Sequence, residues 1–520
     1  MTNTLSRSIR RVTVGALLIV PAQMIFYGCT NLTEVPKDAL TPVNAFHSPA
    51  EVLAGVASVY AGLRGATQDY YNVTEVATDE IIVPTRGTDW YDNGRWLEVF
   101  KHGFNPNSAS ALQDLNGVWN TQFSGIARAN LMIDVITKAG GPTAPQTLAE
   151  LRTLRAWYYY MLMDFFGGVP LVTSTEVAAN PRVTRDSLFR FIESELIATR
   201  AVLPATRPSD QNGRLTSGAA DAILASLYVN AQVFSGSVTA AGLTKGTAHW
   251  QDAITAADRV INSGQYALET NWFHNFSPDN HDSKENIFYI AHSSTEAGLG
   301  ESFPMRTLHY NQLALGGGPW NGFSSVSDTY RAFDPADKRR AMYLVGPQNS
   351  FDTGLPAKDR AGNPLVFVDT IANETQAAEN EGARFNKFAP LITAPDGNSF
   401  PNNYPFFRLA EMYLIKAEAL NELGQTDAAV AQVNIVRARQ FSPAKPIASG
   451  QSQSAVRTAI FSERLFEFAT EGKRRQDMIR AGTFNLARRY KPADAGYKIL
   501  FPIPTTQIAS NPLLTQNPGY

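Results

Sequence analysis

Apolar residues recur at helical spacing through residues 42–275 and again through 405–520, while 276–404 carry only short apolar runs between turn residues. Ser48-Pro49-Ala50-Glu51 opens the first helix with a cap and a proline in the first turn, and Val52, Val56, Val59 and Leu63 continue its apolar face. Further helices are predicted over 111–138, over 148–166 up to the stop at Gly167-Gly168-Val169-Pro170, and over 187–203 before Pro204. Two helix pairs then repeat one arrangement. Residues 219–234 precede 249–263, with Tyr228, Trp250, Ala253 and Ala257 as packing positions. Residues 407–423 precede 426–440, with Tyr413, Ala417, Gly424, Ala428 and Ala431 in comparable places. An aromatic on one helix and small residues on the other let paired helices approach closely, which predicts a tetratricopeptide-like frame. Generic amphipathic hairpins are the alternative, and the Gly/Ser/Thr-rich stretch between Phe234 and Trp250 lengthens the first turn.

The middle of the chain reads differently. Gly316-Gly317-Gly318-Pro319, Gly362-Asn363-Pro364 and Pro401-Asn402-Asn403 punctuate it, with short runs such as Ile287–Ile290 and Leu365–Val368 between them, so loops and small strands are expected over 276–404. A second loop-rich stretch covers 65–106. Each is expected to lie on the helical frame as a surface facing a ligand or a partner. The fold class predicted is mainly α: an N-terminal helical part (42–275), a loop-rich insertion (276–404) and a C-terminal helical part with a closing segment (405–520).

The start of the chain has another purpose. Arg7, Arg10 and Arg11 precede an apolar run from Val12 to Val20, a shorter one follows at Met24–Tyr27, and Gly28-Cys29 comes next. This is an export signal over 1–28, too short to span a bilayer as a stable helix, which needs about 20 residues. Cys29 is the only cysteine among 520 residues, so disulfides within the chain and cysteine-built metal sites are excluded. Its place after a small residue at the end of the signal assigns it to acylation, with 29–41 as a polar tether. Phe26 and Tyr27 depart from the usual aliphatic and small residues before such a cysteine, and a plain secreted protein or a short membrane anchor is the alternative. Removing the signal takes away three arginines and no acid, moving the formal charge from −2 to −5. With no long basic block, nucleic acid is excluded as a partner.

Candidate chemistry is sparse. The seven histidines form no His-Glu-x-x-His unit, and His274 with Asp279, His281 and Asp282 reads as a solvated loop rather than a metal site, so no metal or cofactor is expected; loop calcium stays open. Asp79-Glu80, Asp89, Asp92 and Glu98 near Trp90, Tyr91 and Trp96 would be the carboxylates of a glycoside hydrolase, but acids close in sequence do not make a catalytic pair. The run Glu463, Arg464, Glu467, Glu471, Arg474 and Arg475 is read as one structural helix pinned by ion pairs, with Glu463, Glu467 and Glu471 four apart on a single face. A sugar ring presents an apolar face and a hydroxyl rim, so it calls for an aromatic plate beside polar groups. Arg86, Trp90, Tyr91, Asp92 and Trp96 supply that mixture in the first loop region; Tyr310, Asn311, Trp320 and Asn321 supply it in the second. The competing reading makes each tryptophan a plug between loop and frame.

The C-terminal block carries a family likeness. The stretch Phe407 to Asn421, Val436-Arg437-Ala438-Arg439, the Ile460 to Arg480 block and the ending Phe501-Pro502-Ile503-Pro504 with Gln516-Asn517-Pro518-Gly519-Tyr520 resemble signatures of the SusD/RagB family. So do Arg155-Ala156-Trp157-Tyr158-Tyr159 through Leu171, and Trp250-Gln251-Asp252-Ala253 through Tyr266, in the same order along the chain. The resemblance implies an outer-membrane lipoprotein facing the cell exterior, held by its lipid anchor, on a tetratricopeptide-like frame. It implies a lid on a TonB-dependent barrel of the SusC/RagA type, which receives a captured oligosaccharide, or in some members an oligopeptide, with no bond broken. A secreted hydrolase and a purely structural helical-repeat adaptor are the readings outside the family.

Overall fold

Ser48 accepts from the Glu51 amide at 3.2 Å while the Glu51 carboxylate takes the Ser48 amide at 2.8 Å, and this reciprocal cap starts α1 (Pro49–Ala61). The structure, a computed structural model, describes Phe46 and residues 48–293, 295–296, 298–394 and 397–520. The signal, Cys29 and the tether lie outside the described residues. Two short helices follow, α2 (Asp69–Val76) and α3 (Arg95–Phe100), and then two long ones, α4 (Asn116–Ala139) and α5 (Ala144–Phe166). Every residue of α5 from Thr153 to Phe166 is buried, which makes it the central rod of the frame. Thr184 caps α6 (Arg185–Arg200), and Thr216 caps α7 (Ser217–Val229).

The one-turn α8 (Ala231–Phe234) leads into a hairpin of Ser237–Thr239 with Gly242–Thr244, which accounts for the Gly/Ser/Thr-rich stretch, and α9 (Trp250–Ile261) completes the pair. Two short helices, α10 (Phe303–Thr307) and α11 (Ser327–Ala332), sit in the insertion. The C-terminal part contains α12 (Leu409–Glu422), α13 (Thr426–Arg437), α14 (Gln453–Phe468), α15 (Arg474–Ala481) and the terminal α16 (Thr505–Ser510). Packing follows a continuous order: α4 on α5, α5 on α6, α6 on α7, α7 on α9, α9 on α12, and α12 on α13 and α14. The molecule is mainly helical. Its strands are short two-stranded ladders, of which Asn286–Ile290 with Tyr404–Arg408 is the longest and ties the start of the insertion to its end. No helix among the described residues is long and apolar enough to cross a membrane.

Three expectations are revised. Residues 65–106 are not only loop: α2 and α3 stand there. All but the first residue of α2 is buried, so it has no polar face and no helical periodicity to read. The first helix of the C-terminal pair starts two residues late because Tyr404–Arg408 is spent on the strand. The charged run is not one helix. It breaks after Phe468 at a turn in which Thr470 has φ 67° and Gly472 has φ 73°, and resumes at Arg474. Two buried carboxylates secure that break: Glu80 accepts from the Thr470 amide at 2.9 Å and Glu75 from the Gly472 amide.

Candidate functional site

The two loop regions, more than two hundred residues apart in sequence, meet at one place. Ile81–Ile82 pairs antiparallel with Ser324–Ser325, and beyond that ladder the side chains interlock. Trp90 Nε1 donates to the Trp320 carbonyl at 2.6 Å, Arg86 Nε to the Asn321 carbonyl at 2.9 Å, and Tyr310 Oη to the Asp89 carboxylate. The backbone here is held in the left-handed region at Trp90 (φ 63°), Asp92 (39°), Asn93 (57°) and Asn321 (54°). For a residue as bulky as tryptophan that conformation is strained, and strain of this kind persists only where surrounding contacts over-determine it.

The predicted residues divide into three groups. Tyr91 and Trp320 are exposed, at 59% and 38%, and so are Asp92 and Asn311. Trp90 and Trp96 are struts. Trp90 is half-buried, lies edge-on to Trp96 and Phe323 at 5.4 and 5.7 Å, and covers Gly322 so closely that a Cβ there would sit 2.2 Å from the indole. Trp96 is buried, donates to Asp92 at 2.6 Å and carries the Arg95 guanidinium over its ring at 4.1 Å. Arg86 and Asn321 form the third group: both are buried, and their polar atoms are taken up by protein partners.

Tyr310 lies between these groups. It is half-buried, and Arg360 covers its ring at 4.1 Å while bonding Glu379 at 2.6 Å. Burial and the neighbouring Asp89 push the Tyr310 phenol up to about 12, so it stays a donor. Burial drives His309 below the ordinary histidine range, and the ring meets Glu379 at 2.9 Å. Arg360 and Glu379 were not singled out from the sequence. No aromatic residue accompanies them there, and only the folded turn brings them onto the rim. Two exposed rings, Tyr91 and Trp320, thus stand on loops joined by the Trp90, Arg86 and Tyr310 bonds. Deeper clefts lie elsewhere, one of 340 Å³ among α7, α12, α14 and α15 and one of 440 Å³ beside α1, and neither contains the loop aromatics.

The charged run serves the interior. Glu467, fully buried, receives Arg339 at 2.8 Å, Arg408 at 3.0 Å and Arg439 at 2.6 Å, besides the Trp272 indole at 3.0 Å. Arg339 also holds Glu463 and Asp337, and Arg408 also holds Glu285 and Glu471. Burial by itself would raise Glu467, but the three guanidiniums bring it down to about 2. Arg464 bonds Asp477 at 2.9 Å, Arg474 bonds Asp79 at 2.8 Å and Arg475 bonds Asp164 at 2.9 Å. These partners come from other elements, not from within one helix face.

The acids considered for hydrolysis are each engaged by protein: Asp79 by Arg474, Glu80 by the Thr470 amide, Asp89 by Tyr310, Asp92 by Trp96 and Glu98 by the Ser110 amide at 3.1 Å. His274 bonds Glu269 at 3.2 Å and Asp282 at 3.0 Å, and among the described residues no cluster of three or more metal-ligating side chains is arranged around an ion site.

Known proteins share this fold. The model of the SusD family matches residues 265–491, and a second model, described as starch-binding associating with outer membrane, matches residues 44–229. The SusD-like protein P25 of Formosa agariphila is 23% identical over 543 residues, covering 97% of this chain and 99% of that relative. The starch-binding protein SusD of Bacteroides thetaiotaomicron is 24% identical, covering 88% and 86%. A solved laminarin binding SusD-like protein superimposes with a TM-score of 0.74 at 22% identity, over 91% of this chain and 100% of that one. With the two family models following one another across frame and insertion, the chain belongs to the SusD/RagB family.

Proposed function

We propose that the protein is a surface nutrient-binding lipoprotein that captures an oligosaccharide on the Tyr91–Trp320 shelf and passes it, unaltered, to a TonB-dependent SusC/RagA-type transporter. The observation that carries this reading is the pair of exposed rings at the junction of both loop regions, with Asp92, Asn311 and Arg360 around them. Rings stack on the apolar face of a sugar while the rim groups meet its hydroxyls. The starch-binding and laminarin-binding relatives support a glycan ligand. Catalysis plays no part in this proposal, since capture needs only differential binding between shelf and water. Acylated Cys29 holds the protein at the outer membrane, facing outward; several acyl chains suffice for this, each buried CH₂ contributing about 0.8 kcal/mol.

Calorimetry with a glycan panel and an oligopeptide panel tests the ligand. Glycans are expected to bind and peptides not; peptide binding without glycan binding replaces the sugar by a peptide. Metabolic acyl labelling with membrane fractionation tests the anchor: Cys29→Ser is expected to lose both label and membrane retention. Co-purification of a large barrel from outer membranes tests the partner.

A further inference from the structure

Beneath the shelf, one buried asparagine is bonded through every polar atom it has. Asn321 is fully buried, and its amide N–H donates to the Leu308 carbonyl at 2.9 Å. Its carbonyl accepts from Arg86 Nε at 2.9 Å. Its side-chain oxygen accepts the fork of Arg384, Nε at 3.1 Å and Nη2 at 2.8 Å, and its side-chain nitrogen donates to the Glu379 carbonyl at 3.0 Å. The two arginines then share the Ser324 hydroxyl, at 2.9 and 2.7 Å, and the Glu381 carbonyl, at 2.8 and 2.7 Å. Arg384 is fully buried and Arg86 nearly so. Among the described residues neither forms an ion pair with a carboxylate.

That is an unusual place for two like charges. A buried guanidinium without a counter-charge is costly, and a fold keeps such a violation only where something else requires it. What this pair supplies is direction. A guanidinium presents five donors in a rigid plane, so each acceptor it binds is fixed in angle as well as distance. The acceptors come from Asn321 and Ser324 of the second loop and from the turn at 378–382, all around the base of Trp320. Asn321 is forced to φ 54°, which turns the chain sharply right after Trp320. The Trp320 carbonyl is then free to take the Trp90 indole, and its ring is left at the surface.

We infer that Arg384 and Arg86 are positioning residues for ligand capture: through Asn321 they hold the turn that aims Trp320 out of the surface. This deepens the shelf reading and rests on it. The guanidiniums touch no ligand in this account. They act by fixing one ring, much as a buried second layer orients a binding group.

The test uses the full chain with laminarihexaose as probe, together with acrylamide quenching of the emission component that Trp320→Phe removes. Arg384→Lys keeps the charge and loses the fork. It is expected to weaken laminarihexaose binding by about tenfold or more and to change the quenching of Trp320, with a cooperative melt retained. Asn321→Asp keeps the acceptor for the Arg384 fork and tolerates a positive φ but loses the donor to the Glu379 carbonyl, so it is expected to lose less affinity than Asn321→Gly. Should Arg384→Lys fail to fold, Asn321→Gly keeps the turn and drops the clamp, and the same loss is expected there. Wild-type affinity and unchanged quenching in folded Arg384→Lys or Asn321→Gly overturn the inference, as does an Asn321→Asp that loses as much as Asn321→Gly. If the wild type binds no glycan at all, the shelf reading fails, and the quenching comparison still decides whether the arginines position Trp320.

Discussion

Beneath α14, Arg339 and Arg408 are buried against carboxylates; beneath the shelf, Arg86 and Arg384 are buried just as deeply against carbonyls, a hydroxyl and an amide. Burial pulls all four guanidiniums toward losing their proton. At Arg408, Glu471, Glu285 and Glu467 more than reverse that pull, whereas Arg384 stays well below the usual arginine range and its neighbour Arg86 adds to the depression. The first arrangement is held by charge and would tolerate some misalignment. The second has no charge to fall back on and depends on the angle of each donor. One is suited to locking helices together, the other to fixing how loops leave the frame.

The comparison breaks most visibly at Glu467. Replacing it by Ala removes the one carboxylate that Arg339, Arg408 and Arg439 share, leaving them their other acids, and is expected to cost about 3–5 kcal/mol in chemical denaturation, while the fraction still folded binds ligand normally. A variant with an unchanged denaturation midpoint and weakened binding would place the cluster in the binding machinery instead. The shelf should show the opposite split between its rings. Trp320→Ala is expected to lose about 2 kcal/mol of glycan affinity with little change in melting, because its ring is already in water. Trp96→Ala empties a packed position and is expected to lose about 3–5 kcal/mol of stability. Paired calorimetry and thermal melts separate the two; equal profiles for both variants would erase the distinction between plate and strut.

The smallest effect concerns pH. Burial lifts Glu75 from the ordinary 4.5 to about 7 and lifts Glu80 further, since the Glu75 charge lies next to it. A carboxyl raised in the folded state favours folding while protonated, so its contribution is complete below about 4.5 and is lost as pH climbs through 7. Glu467 behaves oppositely: its contribution is present above 4.5 and disappears as pH falls through about 2. Glu75→Gln is therefore expected to flatten the decline in stability between about pH 4.5 and 7, by an amount on the order of 1–2 kcal/mol, and to leave the acid limb alone. Urea unfolding across that range checks it, and an unchanged slope would mean the Glu75–Glu80 pair does not carry the decline.

Much of the frame could be read before folding. The Ser48 cap, the glycine stop of α5 and the paired helices with their small residues are local signals, written within a few turns of each other. Helix α2 escaped because burial on all sides leaves no alternation to detect. The candidate site was legible in kind rather than in detail. Both aromatic loop regions were evident, but whether a tryptophan is a plate or a strut depends on what lies against it. Trp90 is a strut because Gly322 leaves room for its indole, and Gly322 is 232 positions away. Arg360 and Glu379 carried no signal at all.

By itself the sequence determined the helical class, the order of the long helices, the place of the sole thiol and the family, because periodicity, capping and motif order are properties of neighbouring residues. Only the tertiary structure decided that the loops at 86–96 and 310–324 share one surface, that Tyr91 and Trp320 face out of it, and that two families of buried arginine serve different ends. Those are questions of which distant groups meet. Hydrogen bonds and ion pairs act over a few ångströms, and along an unfolded chain the groups that make them are separated by hundreds of residues.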